Sequence, residues 1–573
     1  MYEIGKPDGT DGENVYDLVI RNALIVDGTG AKPTHGDLAV RSGRIMAIER
    51  GLGQARETID AEGLALAPGI IDGHTHYDAQ ITWDPFVDPS PALGVTTVVI
   101  GNCGFTIAPC RPADRDLTMR NLTHVEGMSL DALRAGIRWD FETFPQYLAM
   151  LERRGVGLNV AAFVGHSSLR TFVLRDDAAR RVARDDEIET MRQLVHEAMA
   201  AGAVGFATST SEPHNGENGI PMPSRLADDR ELRGLVGAMG DAGRGVFMLT
   251  KGSKTTIPYL ETIAADSARP VVIAALFHSN TNPESVFRAI AEINAARARG
   301  NVLWAQTSCC PLTMDFTLRS PYLFEGLSAW KPAMEAHGDD LAAVYRDPKF
   351  RDTVKGELSA ARGMRLFNSE WDRVNLIGAA TPAMRAFEGR SIADIAGEQA
   401  KHPLDCILDL ALCEDLATAF TAELLNNDER AVARVLREPD AHISLSDAGA
   451  HLTFLCDAGF GLHLLGHWSR ELGVLSLEEA TRRLTGQPAQ IFGIHDRGRL
   501  APGLAADLLL FDPGTIGRGA KRRVFDLPTG APRLTTPAIG LHGVWVNGVR
   551  IVDRKGLRAN GARPGKVLRD FAA

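Results

Sequence analysis

The sequence predicts an α/β fold: a (β/α)8 barrel beside a small β domain that both ends of the chain build together. Apolar, strand-like runs alternate with amphipathic helical stretches through the middle of the chain. Eight such runs can be identified, and this number favours a closed barrel over an open sheet. The two ends, in contrast, contain short apolar runs broken by Gly and Asp turns, which is typical of β structure.

The middle of the chain supplies the barrel. We predict that it spans residues 67–498, with an insertion over about 311–375 whose helices and loops are candidate lids. Helical stretches such as 186–202 and 284–300 separate the strands. The eight predicted strands are the run that precedes His74 and the segments 94–101, 158–165, 203–208, 246–251, 271–278, 302–307 and 443–447.

The two chain ends form the predicted small β domain, from residues 1–66 and 499–573. Strand-like runs occupy 15–30 and 36–49 at one end and 505–514 and 543–556 at the other. The Asn-Gly pair at 547–548 lies between Val-rich arms and is a strong hairpin signal.

Composition narrows the class of protein. The 573 residues carry a net charge of −10 with no basic stripe, which argues against nucleic acid and anionic membrane surfaces as partners. The N-terminus lacks the pattern of a signal peptide, and no apolar run approaches the ~20 residues of a membrane helix. Seven cysteines, a sparse and odd number, indicate a reducing compartment. We therefore expect a soluble cytoplasmic protein.

The segment APGIIDGHTHYDA, residues 67–79, places His74 and His76 at the end of the first strand. Successive strand side chains point to opposite faces, so these two imidazoles share one face. In a (β/α)8 barrel the active site lies at the C-terminal ends of the strands, so both imidazoles would face it. Two neutral imidazoles can bind one borderline-soft metal ion, although a packed pair of histidines is the alternative.

Other strand ends carry groups that can bind a metal ion. Taken singly each is a weak signal, because a lone cysteine is most often a buried small hydrophobe. Together with the histidine pair they place ligand-type groups at five of the eight strand ends. These groups are Cys103 (beside Asn102), Lys251, His278 and Asp447, which His451 follows.

Five segments carry a resemblance to a known family. They are HTHYD, GVTTVVIGNCGF, GHSSLR, GAVGFAT and LSDAGAHL. The chain resembles the amidohydrolase superfamily, and within it the N-acyl-D-amino-acid deacylase (D-aminoacylase) branch, nearly from end to end. The resemblance implies a distorted (β/α)8 TIM barrel with a small β-sandwich domain formed by both termini.

The resemblance also implies roles for the residues. His74 and His76 would hold one Zn²⁺ position, Cys103 would ligate or bridge, and His278 would hold a second position. Asp447 would touch the metal and act as general base and acid while metal-bound hydroxide attacks an amide carbonyl. His166 would either stabilise the oxyanion or orient other groups.

The chain departs from the family pattern at the fifth strand. The deacylases carry a metal-binding histidine there, whereas this chain reads MLTKG, with Lys251 at or next to that position. A carboxylated Lys251 could act as a bridge. The sequence therefore leaves open whether one or two zinc ions bind per chain. It also leaves open whether Cys103 or Lys251 acts as the bridge.

The segments that recognise the substrate depart further. The tyrosine, lysine and arginine that bind the substrate carboxylate in the deacylases are replaced or missing, and Cys309 and Cys310 stand where the tyrosine is expected. Because a desolvated carboxylate needs paired donors, we predict a neutral or aromatic amide as substrate. Arg225 is the alternative carboxylate ligand, with Asn102 and His451 as further substrate contacts. Candidate pocket-lining aromatics are Phe316, Trp330, Phe454 and Phe460.

The predicted function is that of a metal-dependent hydrolase that cleaves a carbon–nitrogen amide bond other than a peptide bond, in an N-acyl or aryl amide. The alternatives are a true N-acyl-D-amino-acid deacylase, a hydrolase of an ester, carbamate or cyclic amide, and a non-enzymatic scaffold. The retained ligands argue against a scaffold. A redox role for Cys309 and Cys310 is weaker, because nothing nearby stabilises a thiolate. We also expect a homo-oligomer.

Overall fold

The computed structural model describes residues 15–319, 321–324, 326–360, 367–452, 457–558 and 561–572. Its central feature is a sheet of eight parallel strands, paired in chain order. A parallel bridge between Thr75 and Ala448 joins the two outer strands, so that the sheet curls into a barrel. All eight predicted strands are present, but strands six and eight end earlier than predicted, at Ala274 and Ile443. Barrel strands one to eight are Ile70–Asp72, Val95–Ile100, Asn159–Gly165, Gly205–Ser209, Val246–Thr250, Val271–Ala274, Leu303–Thr307 and Ala441–Ile443.

Helices follow the strands and cover the outside of the barrel. In Asp185–Ala201, acidic residues occupy the first turn, where they favour the helix dipole, and Gly202 ends the helix with a φ of 103°. Ile188, Met191 and Val195 repeat at helical spacing and are buried. The other barrel helices include Arg115–Val125, Leu130–Gly136, Phe144–Arg154, His166–Leu174, Asp229–Gly240, Ile257–Ser267, Ser285–Ala298, Glu429–Leu436, Phe460–His463, Leu477–Leu484 and Gly486–Ile491.

None of the helices in the described ranges is both long enough and apolar enough to cross a membrane.

A second sheet combines strands from both ends of the chain, which confirms this part of the predicted fold. At the predicted hairpin, Asn547 and Gly548 have φ values of 46° and 80°, as a two-residue primed turn requires. The sheet contains Tyr16–Ile25, Thr34–Arg41, Arg44–Glu49, Ala55–Asp60, Ala65–Pro68, Leu508–Phe511, Leu541–Val546, Val549–Asp553 and Gly556–Leu557.

An insertion after the seventh barrel strand has its own apolar core, which extends from Met314 to Leu424 and is therefore longer than the predicted 311–375. Its strands and helices are Leu312–Phe316, Lys331–Met334, Gly338–Arg346, Pro348–Ser359, Val374–Gly378, Ile392–Glu398, Pro403–Leu412 and Ala419–Leu425.

The structure does not support the predicted pocket of aromatic side chains. Phe316 and Trp330 pack against other rings inside the core of the insertion, and Phe460 lies in the core of the barrel. Phe454 lies outside the described residues. These aromatics stabilise cores because burying their large apolar surfaces there is favourable.

Residues 512–540 leave the terminal sheet after Phe511 and return to it at Leu541; we call this segment the C-terminal excursion. It forms two short antiparallel ladders, of Gly517–Arg518 with Ala538–Ile539 and of Arg522–Val524 with Arg533–Thr535. The backbone N–H of Leu534 donates to the carbonyl of Leu452 over 2.7 Å. The excursion therefore reaches the loop that follows barrel strand eight.

Candidate metal centre

His74, His76 and Cys103 meet at the ends of the first two barrel strands. All three side chains are buried, and their ligand atoms lie within 4.8 Å of one another. The Cys103 Sγ lies 3.5 Å from His74 Nε2 and 4.0 Å from His76 Nε2. Strand one ends at Asp72, so the segment that follows the strand, rather than strand alternation, brings the two imidazoles together; a tight turn after strand two brings the thiol to them.

Asp447 reaches the same group from the end of strand eight. One carboxylate oxygen, Oδ1, lies 3.3 Å from Nε2 of His74 and 3.3 Å from Nε2 of His76. Asp447, Cys103 and His451 have φ values of 51°, 57° and 53°, the left-handed region that non-glycine residues rarely adopt. Such local strain persists where the surrounding structure fixes it, and it is concentrated at functional sites.

Two buried partners that the sequence analysis missed orient the histidines from behind. His74 Nδ1 lies 2.8 Å from the side-chain oxygen of Gln306, whose amide donates to the Ser444 carbonyl over 3.0 Å. Glu126 Oε1 lies 3.1 Å from His76 Nδ1, and its side chain is only 3% exposed. Gln306 had a recognisable signal, a polar residue inside an apolar strand, whereas nothing in the sequence around Glu126 marks it.

The charges in this group stabilise one another. Burial acts to lower the pKa of His76, but the Glu126 and Asp447 carboxylates raise it well above its ordinary value. Burial acts to raise the pKa of Asp447, and the two histidines lower it strongly. Burial also acts to raise the pKa of Cys103, yet His74 lowers it. The imidazoles therefore lower the pKa of both acidic groups beside them, the Cys103 thiol and the Asp447 carboxyl.

This donor set fits a borderline-soft divalent ion. Zinc sites combine imidazole nitrogen, thiolate sulfur and carboxylate oxygen, and all three donor types converge here in a buried space. A neighbouring acceptor usually fixes the second ring nitrogen of a ligating histidine; Gln306 Oε1 lies at hydrogen-bond distance from His74 Nδ1, and Glu126 forms an ion-pair contact with His76.

The two residues predicted for a second metal position, His278 and Lys251, lie outside the three residues whose ligand atoms are within 4.8 Å of one another. His278 is buried and does not belong to the group of three, but among the described residues its Nδ1 has no hydrogen-bond partner. On strand five, Thr250 rather than Lys251 meets the centre, with its hydroxyl 3.0 Å from the Cys103 sulfur. The Lys251 ammonium group donates instead to the Gly252 carbonyl over 3.3 Å.

His166 and Asn102 are held by the protein itself. The His166 nitrogens lie 2.7 Å from the Thr208 hydroxyl and 2.8 Å from Glu231 Oε1, so neither is left for a substrate oxygen. The Asn102 amide donates to the Val99 carbonyl over 2.8 Å, and the residue is fully buried. His166 is therefore an internal support rather than an oxyanion contact, whereas the buried Oδ1 of Asn102 has no hydrogen-bond partner among the described residues.

The other predicted substrate contacts lie nearer the surface. Arg225 donates to the carbonyl of His214 over 3.2 Å and to Asn215, so it braces the loop that carries them. The His451 ring is 22% exposed, with Nε2 4.0 Å from Glu126. His214, which the sequence analysis missed, contacts Phe105, and burial lowers its pKa to about 4.

Cys309 and Cys310 are buried at the end of strand seven. Burial raises the pKa of the Cys309 thiol well above its ordinary value, which makes a thiolate, and hence thiol chemistry, unfavourable there.

Comparison with known proteins agrees with this geometry. The sequence model of the amidohydrolase family matches residues 57–317 and 360–552. A D-aminoacylase of Alcaligenes xylosoxydans xylosoxydans is 30% identical, over 97% of this chain and 98% of its own. An N-acyl-D-aspartate deacylase of the same organism is also 30% identical, over 96% of this chain and 95% of its own.

Solved structures with a similar fold also include deacylases of N-acylated D-amino acids. A D-aminoacylase studied for its binuclear metal centre has a TM-score of 0.66 and 26% identity, with 97% of this chain and 100% of that chain covered. An N-acyl-D-glutamate deacylase of Bordetella bronchiseptica, in complex with zinc and a phosphonate inhibitor, has a TM-score of 0.67, the same identity and the same coverage. From the fold, the donor set and these matches, the chain belongs to the amidohydrolase family and is a metal-dependent amide hydrolase.

Proposed function

We propose that the protein removes the acyl group from an N-acylated small molecule, with zinc held by His74, His76 and Cys103 and with Asp447 as the proton carrier. The observation that carries this proposal is the position of the Asp447 carboxylate, 3.3 Å from both imidazoles of the donor set. The relatives named for deacylation of D-amino acids support an N-acyl substrate.

A zinc ion, when bound, supplies Lewis acidity, which acidifies a coordinated water and polarises a carbonyl. The chain's own residues transfer the proton and position the ligands. Asp447 is placed to accept a proton and to pass it to the departing nitrogen, because its carboxylate lies 3.3 Å from both imidazoles and its side chain is 21% exposed. Glu126 and Gln306 hold the two imidazoles in place.

The residues predicted for a second metal position, His278 and Lys251, bear on the number of ions. The buried Nδ1 of His278, without a partner in the described part of the chain, supports a second, weaker position. Thr250 contacts the cluster where Lys251 was predicted to bridge. We therefore propose one tightly held zinc ion, and the Cys103 thiolate, rather than a carboxylated Lys251, as the ligand that a second ion would share.

Metal removal and one substitution test the proposal. Chelated protein should lose turnover of N-acetyl-D-amino acids and of their amides, and zinc should restore it. Asp447→Asn should bind zinc but lower kcat by about 10²- to 10⁴-fold. Asp241→Asn, on an exposed carboxylate, is the control. Full activity of the chelated protein or of Asp447→Asn would contradict the proposal.

We make two further proposals, one about the cellular location of the protein and one about its oligomeric state. The six cysteines in the described ranges are all free, which supports the proposed reducing, cytoplasmic location. A homo-oligomer is also proposed, and light scattering coupled to gel filtration would test it.

A further inference from the structure

His214 lies in the loop that follows barrel strand four, beside the turn that carries Cys103. A Cβ on Gly104, the next residue of that turn, would lie 2.5 Å from the Ala207 carbonyl oxygen, so the turn packs directly on the end of strand four. The His214 ring contacts the ring of Phe105, which follows Gly104, with 5.1 Å between the two centroids. The imidazole therefore lies beside the turn that brings the thiol to the metal centre.

The end of strand four also connects His214 to the centre. Ser209, the last residue of that strand, pairs in register with Thr250, whose hydroxyl lies 3.0 Å from the Cys103 sulfur. Neighbouring strands are about 4.8 Å apart, so Ser209 is one strand away from a direct contact of the thiol. The Ser209 hydroxyl oxygen lies 2.7 Å from His214 Nδ1, which fixes the ring at this position.

The other side of the loop is tied to the helix Arg115–Val125, which ends just before Glu126. Arg120 of this helix donates to Glu217 of the loop over 2.9 Å. His214 is thus held between two segments that reach the metal centre, the turn after strand two and the end of this helix.

The surroundings of His214 keep its imidazole neutral. Burial lowers its pKa from 6.5 to about 4; the Glu126 and Asp447 carboxylates act against this shift, and His451 and His76 act with it. These four groups belong to the metal centre or adjoin it. At neutral pH the His214 ring therefore carries a single proton.

The hydrogen bonds at Ser209 assign that proton to Nε2. The backbone N–H of Ser211 donates to the Ser209 hydroxyl oxygen over 3.2 Å. In the described part of the chain, the one acceptor for the Ser209 hydroxyl proton is His214 Nδ1, so Nδ1 accepts and Nε2 bears the hydrogen. The residue is half-buried, and its Nε2–H, which has no hydrogen-bond partner among the described residues, can donate to a bound molecule.

We propose that His214 donates this N–H to the acyl carbonyl oxygen of the substrate and stabilises the negative charge that develops there when the carbonyl carbon is attacked. The inference rests on the proposed deacylation and gives His214 the oxyanion contact that the sequence suggested for His166, whose two ring nitrogens are already engaged. The hydrogen bond strengthens as the oxygen gains charge, and no proton is transferred. A preorganised donor of this kind binds the transition state more strongly than the substrate.

Two substitutions of His214 separate hydrogen-bond donation from packing. His214→Phe keeps a ring against Phe105 but removes the donor, whereas His214→Gln keeps an N–H donor on a side chain of similar reach. His196→Phe, on a half-exposed ring, is the matched control. Each zinc-reconstituted protein is assayed with N-acetyl-D-leucine and its primary amide. Binding is measured with the matching N-methylphosphonyl compounds, whose tetrahedral phosphorus carries oxygens where the attacked carbonyl would.

His214→Phe should lower kcat by about 10²- to 10³-fold with little change in KM, because the lost hydrogen bond acts mainly on the developing charge. Its affinity for the phosphonyl compounds should fall by a similar factor, since these resemble the transition state. His214→Gln should recover part of both losses, and His196→Phe should behave as wild type. Zinc content and melting temperature should stay unchanged in every variant.

A rise in KM at unchanged kcat in His214→Phe, or a loss of activity that follows zinc content or melting temperature, would overturn the inference. Wild-type kinetics in this variant would do the same and leave the proposed function intact. If the wild type binds the phosphonyl compounds but hydrolyses neither substrate, the proposed reaction fails, and the affinity of His214→Phe for these compounds still decides the inference. A wild type that neither binds nor hydrolyses any of them would overturn both.

Discussion

At the scale of single residues, the centre depends on partners behind its ligands. His74 and His76 each present Nε2 to the centre; Nδ1 of His74 lies 2.8 Å from Gln306 Oε1, and Nδ1 of His76 lies 3.1 Å from Glu126 Oε1. A carboxylate in this position raises the basicity of the imidazole and fixes its orientation. Burial acts to raise the pKa of Glu126, but His76 lowers it, so the carboxylate stays ionised.

Glu126→Gln tests this support while it preserves the size of the side chain. We expect zinc affinity to fall by about 10- to 100-fold, because the amide neither attracts the imidazole charge nor fixes the ring as strongly. Competition with a coloured chelator measures the affinity. Glu217→Gln, on a partly exposed side chain that pairs with Arg120, is the matched control. Unchanged affinity in Glu126→Gln would show that His76 needs no carboxylate.

At the scale of elements, the loop after strand eight joins the two edges of the barrel. The His76 N–H donates to the Ala448 carbonyl over 2.7 Å, and the Asp447 N–H donates to the His74 carbonyl over 3.1 Å. Gly449 lies directly on this contact with a φ of 92°, and a Cβ there would meet the His76 backbone at 2.7 Å. The loop can place Asp447 only because this residue is glycine.

Gly449→Ala should therefore move Asp447 away from the histidines. We expect activity to fall by about 100-fold, because a small displacement of a catalytic group has a large kinetic effect. Gly243→Ala is the control, since its φ is 68° but no atom lies within 4 Å of the added Cβ. Steady-state kinetics of both variants measure the difference. If both lose the same activity, backbone conformation rather than contact with His76 is responsible.

A second element-scale feature lies under the site, where the helix His166–Leu174 packs near the helix Asp229–Gly240. Glu231 there contacts both His166 and Arg170, and Glu231 and Arg170 are fully buried. A buried ion pair adds little net stability, but removal of one partner leaves an uncompensated charge.

Glu231→Ala should accordingly lower the free energy of unfolding by about 3–5 kcal/mol, because Arg170 would stay buried without its partner. Glu189→Ala removes a half-exposed glutamate that pairs with Arg192 on the surface, and should change stability by about 0.5 kcal/mol or less. Urea denaturation followed by circular dichroism compares the two. Similar midpoints for both variants would contradict this account of the buried network.

At the scale of the whole molecule, buried neutral histidines make the fold sensitive to acid. Burial, and then the nearby His74 and Arg483 charges, lower the pKa of His442 from 6.5 to about 3. The unfolded chain therefore takes up this proton below pH 6.5, whereas the folded protein does not until about pH 3. The contribution of His442 to stability is intact above pH 6.5 and is lost progressively as the pH falls.

For this single group, the free energy of unfolding should fall by about 1.4 kcal/mol per pH unit below its ordinary pKa. His442→Gln should remove that part of the slope between pH 6 and 4.5, two values chosen within the window set by the cited shift. Denaturant titrations at several pH values measure the slopes. His124→Gln, on an exposed side chain, is the control. An unchanged slope in His442→Gln would show that another group causes the loss.

The sequence by itself determined the barrel, the two-ended β domain and the core of the metal centre. Periodicity sufficed for the strands, because each buried strand is a short apolar run with a polar residue at its end. His74, His76 and Cys103 could be linked because strand ends of a barrel meet on one face. These properties depend on local pattern, which a sequence displays directly.

Only the tertiary structure decided which groups actually meet. Thr250, not Lys251, contacts the Cys103 thiol. Successive side chains of a strand point to opposite faces, so a shift of one residue decides which of the two faces the site. Glu126 reaches the site from a distant segment, at the end of a helix, and no local sequence pattern indicates that it does so. Such contacts depend on packing between residues far apart in the chain, so they become visible only when the fold brings them together.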